Sequence, residues 1–186
     1  MLRISLISVA VTGLLAAAAY AQPAGPPVDG AQAARIPRPP TPAEYVDRSK
    51  ARGPAYDLAV EAALEAINHC KAGNQDISVQ VTDAANEIVV LISPGAAGMR
   101  SLRLLKGNAV TPYMTGKPSS AARGLAPTDP VIANRIAGDV AVGYPGSVPI
   151  IVGNEMIGAI TVSGSQNNTD EVCANAGLSK IQARLK

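Results

Sequence analysis

His69 is the only histidine in the chain, and Asp57, Glu61 and Glu65 precede it at steps of four residues. On a helix that spacing stacks the four side chains on one face, an acidic strip able to collect a cation, with Glu65 and His69 close enough to share it. A solvated helix face accounts for the same spacing. A second pair of chemically expressive residues is Cys70 and Cys173, the only cysteines, and a third is the acidic pair Asp170-Glu171 behind a loop of polar residues. Carboxylates in a first helical turn are favoured by the helix dipole alone, so that pair has a structural explanation before any functional one. The common catalytic signatures are missing: there is no Cys-x-x-Cys, no His-Glu-x-x-His and no glycine-rich phosphate loop, and Ser163-Gly164-Ser165-Gln166 lacks the spacing of a nucleophile elbow. Residue-level chemistry therefore does not indicate an enzyme, and catalysis would have to come from a bound cofactor.

The elements that must carry these residues are legible from period and punctuation. Gly53-Pro54 opens a helix in which Tyr56, Val60, Ala63, Ile67 and Cys70 form an apolar stripe, ended by Gly73. His69 lies off that stripe in the last turn, where a histidine suits the helix C-terminus. Residues 77–82 alternate as a half-buried strand, Asp83 to Glu87 is a turn with Asn86 suited to a left-handed conformation, and 88–92 is a second strand, so the pair reads as a hairpin. After the small-residue loop 94–98, Met99, Leu102, Leu105, Lys106 and Ala109 lie near one side of a helix that Pro112 should stop. Residues 115–128 hold too much Gly, Pro and Ser to be regular, Asp129-Pro130 caps a short helix ending at Gly138, and Val140 to Val142 reads as an edge strand. Residues 148–152 and 156–162 form a hairpin about Gly153-Asn154, which supplies positive φ, and Asn168 or Thr169 caps a last helix. Helix, hairpin, helices, hairpin and helix make an α+β domain with a mostly antiparallel sheet.

The N-terminus has one basic residue, Arg3, an apolar stretch from Ile4 to Ala18 and the small-x-small pattern Ala19-Tyr20-Ala21, so residues 1–21 read as a secretory signal peptide. Seven prolines between Gln22 and Pro42 mark 22–52 as a tether, and 53–186 as one domain. The protein is expected in the periplasm or outside the cell, with no membrane span once the signal is removed. A net charge of +2 and the absence of Phe and Trp argue against nucleic acid as a partner. In an oxidising compartment an even cysteine count points to a Cys70–Cys173 disulfide, provided the first and last helices pack antiparallel on one sheet face; two separate buried thiols are the alternative.

VTDAANEIVVLI (81–92), Lys106 on the following helix, SVPIIVGNEMIGAITVSG (147–164) and DEVCANAG (170–177) together resemble the GlcG/HbpS-like haem-binding, or haem-degrading, domain family. The likeness covers nearly the whole domain. It implies a five-stranded antiparallel sheet flanked by helices in a profilin-like or PAS-like arrangement, a homo-oligomer, and haem or a related small molecule as ligand. The chain departs from the family's pattern at Ala85-Asn86, at Ser147 and at Thr111-Pro112, which puts the shaping of a ligand pocket in the 99–117 region. Met99, Lys106, Tyr113 and Met114 are the candidate ligands there, offering thioether, amine or phenolate, with His69 as a further candidate. Without Phe or Trp, haem would sit in a shallow site or between subunits. The expectation is a secreted small-ligand-binding protein; the alternative is a non-catalytic interaction domain with no cofactor.

Overall fold

The structure is a computed structural model that describes residues 51–166 and 168–186, so the expected signal peptide and nearly all of the expected tether lie outside the described residues. Helix α1 (Tyr56–Ala72) leads into β1 (Ser78–Asp83) and β2 (Ile88–Ile92). Between the hairpins run α2 (Gly98–Asn108), α3 (Thr111–Thr115), α4 (Ala122–Leu125) and α5 (Pro130–Gly138). The second hairpin, β3 (Ser147–Val152) and β4 (Glu155–Ser163), is followed by α6 (Asp170–Ile181). Among the described residues none of the helices is long and apolar enough to cross a membrane.

The sheet is antiparallel throughout, in the order β2-β1-β4-β3. Each hairpin contributes an adjacent pair, and β1 joins β4 in the middle with Val79 opposite Val162 and Val81 opposite Ile160. Among the described residues there are four strands where five were expected. The segment expected to supply the fifth, Val140 to Val142, is a turn. Asp139 explains why: its carboxylate accepts the Ala141 N–H at 2.9 Å and its carbonyl accepts the Val142 N–H at 3.1 Å, so these groups bond locally instead of joining a ladder.

Several helix boundaries also differ from expectation. Proline 54 precedes the Ala55 cap of α1 instead of lying in its first turn. Pro112 does not stop α2, which has already ended, but sits in the first turn of α3, where its missing N–H costs nothing. The residues from 115 to 128, expected to be irregular, contain a 3-10 turn and the single turn of α4. Thr169 precedes α6 without a capping side-chain bond, and in the second hairpin turn Gly153 alone takes positive φ. Asn86, by contrast, adopts the left-handed conformation expected of it, with φ of 62°.

On one face of the sheet, Val79, Val81, Val148, Ile160 and Val162 are buried against α1 and α6. The buried side of α1 is built mainly from Ala59, Ala62, Ala63 and Ala66, while Tyr56, the first residue of the expected stripe, is exposed. The close approach of α6 explains the choice of alanine: a Cβ on Gly177 would stand 2.5 Å from the Ala62 carbonyl oxygen. At this contact Cys70 and Cys173 form a disulfide with a Cα–Cα distance of 5.6 Å. The condition for the bridge, two helices side by side on one sheet face, is met.

Candidate functional site

The opposite face of the sheet is also buried, but it is polar. Ser78, Thr82, Ser147, Thr161 and Ser163 are all buried there, alongside Gln80. A buried hydroxyl must find a partner, and those of Ser78, Thr82, Ser147 and Thr161 do. Ser101 of α2 donates to the Gly98 carbonyl at 2.8 Å, so the 2.7 Å contact between Ser78 and Ser101 has Ser78 as donor, and Ser93 donates in turn to Ser78 at 2.7 Å. Ser147 and Thr161 pair across the strands at 2.7 Å. These hydroxyls match the polar underside of α2, whose buried residues are Ser101, Leu105 and Asn108. Of the apolar side expected for this helix, Leu105 and Ala109 are buried, but Met99 is 80% exposed.

A cleft of about 560 Å³ opens beside this layer. One wall is α2, through Arg100, Ser101, Leu104 and Asn108; a second is the turn that carries Val140, Ala141 and Tyr144; the third is the loop after β4, from Ser163 to Gln166, with Asp170. Gly164 takes φ of 132° where a Cβ would stand 2.7 Å from the Asp76 carbonyl, so glycine is required for this loop to pass over β1.

Tyr144 is half exposed, yet it is held from several directions. Its carbonyl accepts from Asn108 Nδ2 at 2.9 Å and from Ser119 Oγ at 2.5 Å. The Arg123 guanidinium lies 4.6 Å from the centroid of its ring and donates to the neighbouring Gly143 carbonyl at 3.1 Å. Glu171 holds the 119–121 turn in place by accepting from the Ser120 N–H at 3.0 Å and its hydroxyl at 2.7 Å. The backbone of Tyr144 is thus pinned and its half-exposed ring lies under a guanidinium at the edge of the cleft. Asp170 closes the far end, accepting the Ser165 N–H at 2.9 Å and the Gly164 N–H at 3.4 Å. Burial pushes its carboxyl above the usual carboxylate range, against the opposing pull of these N–H groups.

The five side chains expected to hold a ligand do not line this cleft. Tyr113 and Met114 are neighbours on α3, but the Tyr113 hydroxyl donates to the Asp83 carbonyl at 2.5 Å and bonds Thr82 Oγ1 at 2.7 Å. Burial raises its pKa to about 12. Lys106 lines a separate recess on the far side of α2, and Met99 projects outward. His69 is exposed near the end of α1, a helix that packs on the apolar face. The acidic strip before it is engaged by the C-terminal segment: Glu61 pairs with Arg184 at 2.6 Å and Glu65 with Lys180 at 4.0 Å. Among the described residues no group of three or more His, Cys, Asp or Glu side chains is placed to hold a metal.

Asn108, Ser119, Arg123 and Tyr144 carried no signal in the sequence. They come from four separate segments, and their period and spacing are those of ordinary polar helix and turn residues. Arg100 was equally silent, and Asp170 had been accounted for as a helix-start carboxylate.

A family model described as haem-degrading protein HbpS-like matches residues 55–179. Among solved structures, HbpS superposes with a TM-score of 0.61 at 24% identity, covering 72% of this chain and 94% of that one. The Klebsiella pneumoniae protein ORFY gives 0.62 at 16% identity, covering 74% and 96%. A PduOC–haem complex gives 0.62 at 15% identity, covering 69% and 95%. No curated protein matches.

Proposed function

This chain belongs to the HbpS-like haem-degrading protein family, and from that premise we propose that it binds haem or a closely related tetrapyrrole in the cleft beside α2. The observation that carries the reading is a cleft lined by Tyr144, whose ring lies under Arg123, together with apolar side chains and the Arg100 guanidinium. The donor chemistry fits. A tyrosine oxygen is an established type of axial ligand for haem iron, and Arg100 offers a bidentate partner for a carboxylate side chain of the macrocycle. Leu104 and Val140 supply apolar surface against which a flat ring system can be desolvated. Haem, when bound, supplies a redox-active iron; the protein's part is to hold the ring, to neutralise a carboxylate and to keep one oxygen donor in place. The likeness to a haem complex supports this reading at the level of fold.

Titration of the purified protein with haemin, followed by absorption, tests it. A saturable Soret band that is weakened by Tyr144→Phe and by Arg100→Gln is the expected result. No saturable band would overturn it and leave the alternative of an interaction domain without cofactor.

The protein is further read as a homo-oligomer secreted to an oxidising compartment. The disulfide supports the compartment. The open edge of β2, where Ile88 and Leu91 are exposed, supports association. Light scattering at micromolar concentration should give a multiple of the chain mass, reduced by Ile88→Lys; a monomer mass for the unmodified protein would refute the oligomer.

A further inference from the structure

Behind the cleft, α2 and the 139–142 turn wall off a second recess of about 370 Å³ that shares no lining residue with the first. Three cations line it: Arg103 and Lys106, one helical turn apart on α2, and Arg135 on α5. The convergence is tertiary, since Arg135 lies in a different helix from the other two. Two of the three have a local role. Lys106 and Arg135 are in the last turns of their helices, where a cation meets the negative end of the dipole. That role explains each singly but not why Arg103 joins them around one hollow.

The only carboxylate lining the recess is Asp139, and it is already engaged in closing the turn through the Ala141 N–H at 2.9 Å. Its carboxylate is packed so tightly against α2 that a Cβ on Gly107 would stand 2.6 Å from Oδ2. Among the described residues none of the three cations has a carboxylate within 4.0 Å. The lining therefore carries three positive charges against one negative. Like charges gathered over a partly apolar floor, which includes the buried Val142, repel one another and favour any anion that enters.

We propose that this recess binds a small, multiply charged oxyanion of the phosphate class, with the guanidinium groups of Arg103 and Arg135 as forked donors and Lys106 as a point charge. The assignment gives Lys106 a ligand other than haem and is independent of the cleft, so either reading can fail without the other.

Calorimetric titration of the purified protein at low ionic strength with inorganic phosphate, and separately with glycerol phosphate, tests it. Saturable binding is expected for at least one of the two, weakened roughly tenfold or more by Arg135→Gln and by Arg103→Gln, as loss of a charge-assisted hydrogen bond implies. Tighter binding of the ester would indicate a phosphate carried on an organic molecule; tighter binding of the free ion would indicate phosphate itself. Both side chains are exposed, so circular dichroism of the variants should match the parent. Heats for both anions indistinguishable from those of chloride at matched ionic strength, or variants that bind as the parent does, would overturn the proposal.

Discussion

The two faces of the sheet are buried by different means. Against α1 and α6 the strands turn Val79, Val81, Val148, Ile160 and Val162, packed on alanines and closed by a disulfide. Against α2 and α3 they turn Ser78, Thr82, Ser147, Thr161 and Ser163, the first four bonded to hydroxyls of neighbouring segments. Apolar packing is non-directional and strong in total, whereas a hydroxyl layer contributes little net stability per bond but fixes direction, because each unmade bond is costly. The first face anchors the fold. The second holds the segments that line the cleft, and both recesses lie on its side, along α2.

The largest effect should come from cutting the anchor. The bridge joins residues 103 apart, and in the chain-entropy model a loop of that size contributes about 4 to 5 kcal/mol. Cys70→Ser combined with Cys173→Ser should lower unfolding free energy in denaturant by an amount of that order. A loss under about 1 kcal/mol would show that the alanine contact holds the helices without help from the bridge. Next comes Gly177→Ala, which must push α6 away from the Ala62 carbonyl and should cost about 1 to 3 kcal/mol in the same measurement. A neutral result would mean that α6 yields to the extra methyl group at no cost.

The polar face should respond less. Tyr113→Phe removes the bonds to Thr82 and to the Asp83 carbonyl and should cost about 1 kcal/mol at neutral pH. A pH dependence identifies its origin. The folded phenol titrates near 12 against 10.0 unfolded, so the folded state holds its proton more tightly. The stability this contributes is fully present below pH 10.0 and is lost as pH rises toward 12. The gap between parent and Tyr113→Phe should therefore narrow across that window, and a gap independent of pH would assign the loss to packing instead.

Much of the fold was legible because it rests on local rules. The strands 77–82 and 88–92 announced themselves by alternation and an apolar run, Asn86 by its tolerance of positive φ, and the last hairpin by Gly153 between two apolar segments. The family resemblance was carried by those same segments. The stripe on α1 held for Val60, Ala63, Ile67 and Cys70, but it took in the exposed Tyr56 and left out Ala59, Ala62 and Ala66: a period search weighs large side chains, and the helix pressed against α6 also buries small ones. Val140 to Val142 has strand composition, and only Asp139 turning back on the chain shows why it forms a turn.

The sequence alone therefore determined the class of fold, the order of its hairpins and the cysteine pair, all of which depend on residues near one another in the chain or on their number. Tertiary structure decided the rest. Which side of α2 packs, which sheet face the helix of His69 covers, and which of Tyr113 and Tyr144 lines a cleft depend on contacts between segments tens of residues apart. Such partners leave no period in the chain. A buried hydroxyl and an exposed one look identical in sequence, and only the closed fold, by excluding water, makes Ser119 and Asn108 hold Tyr144 where it stands.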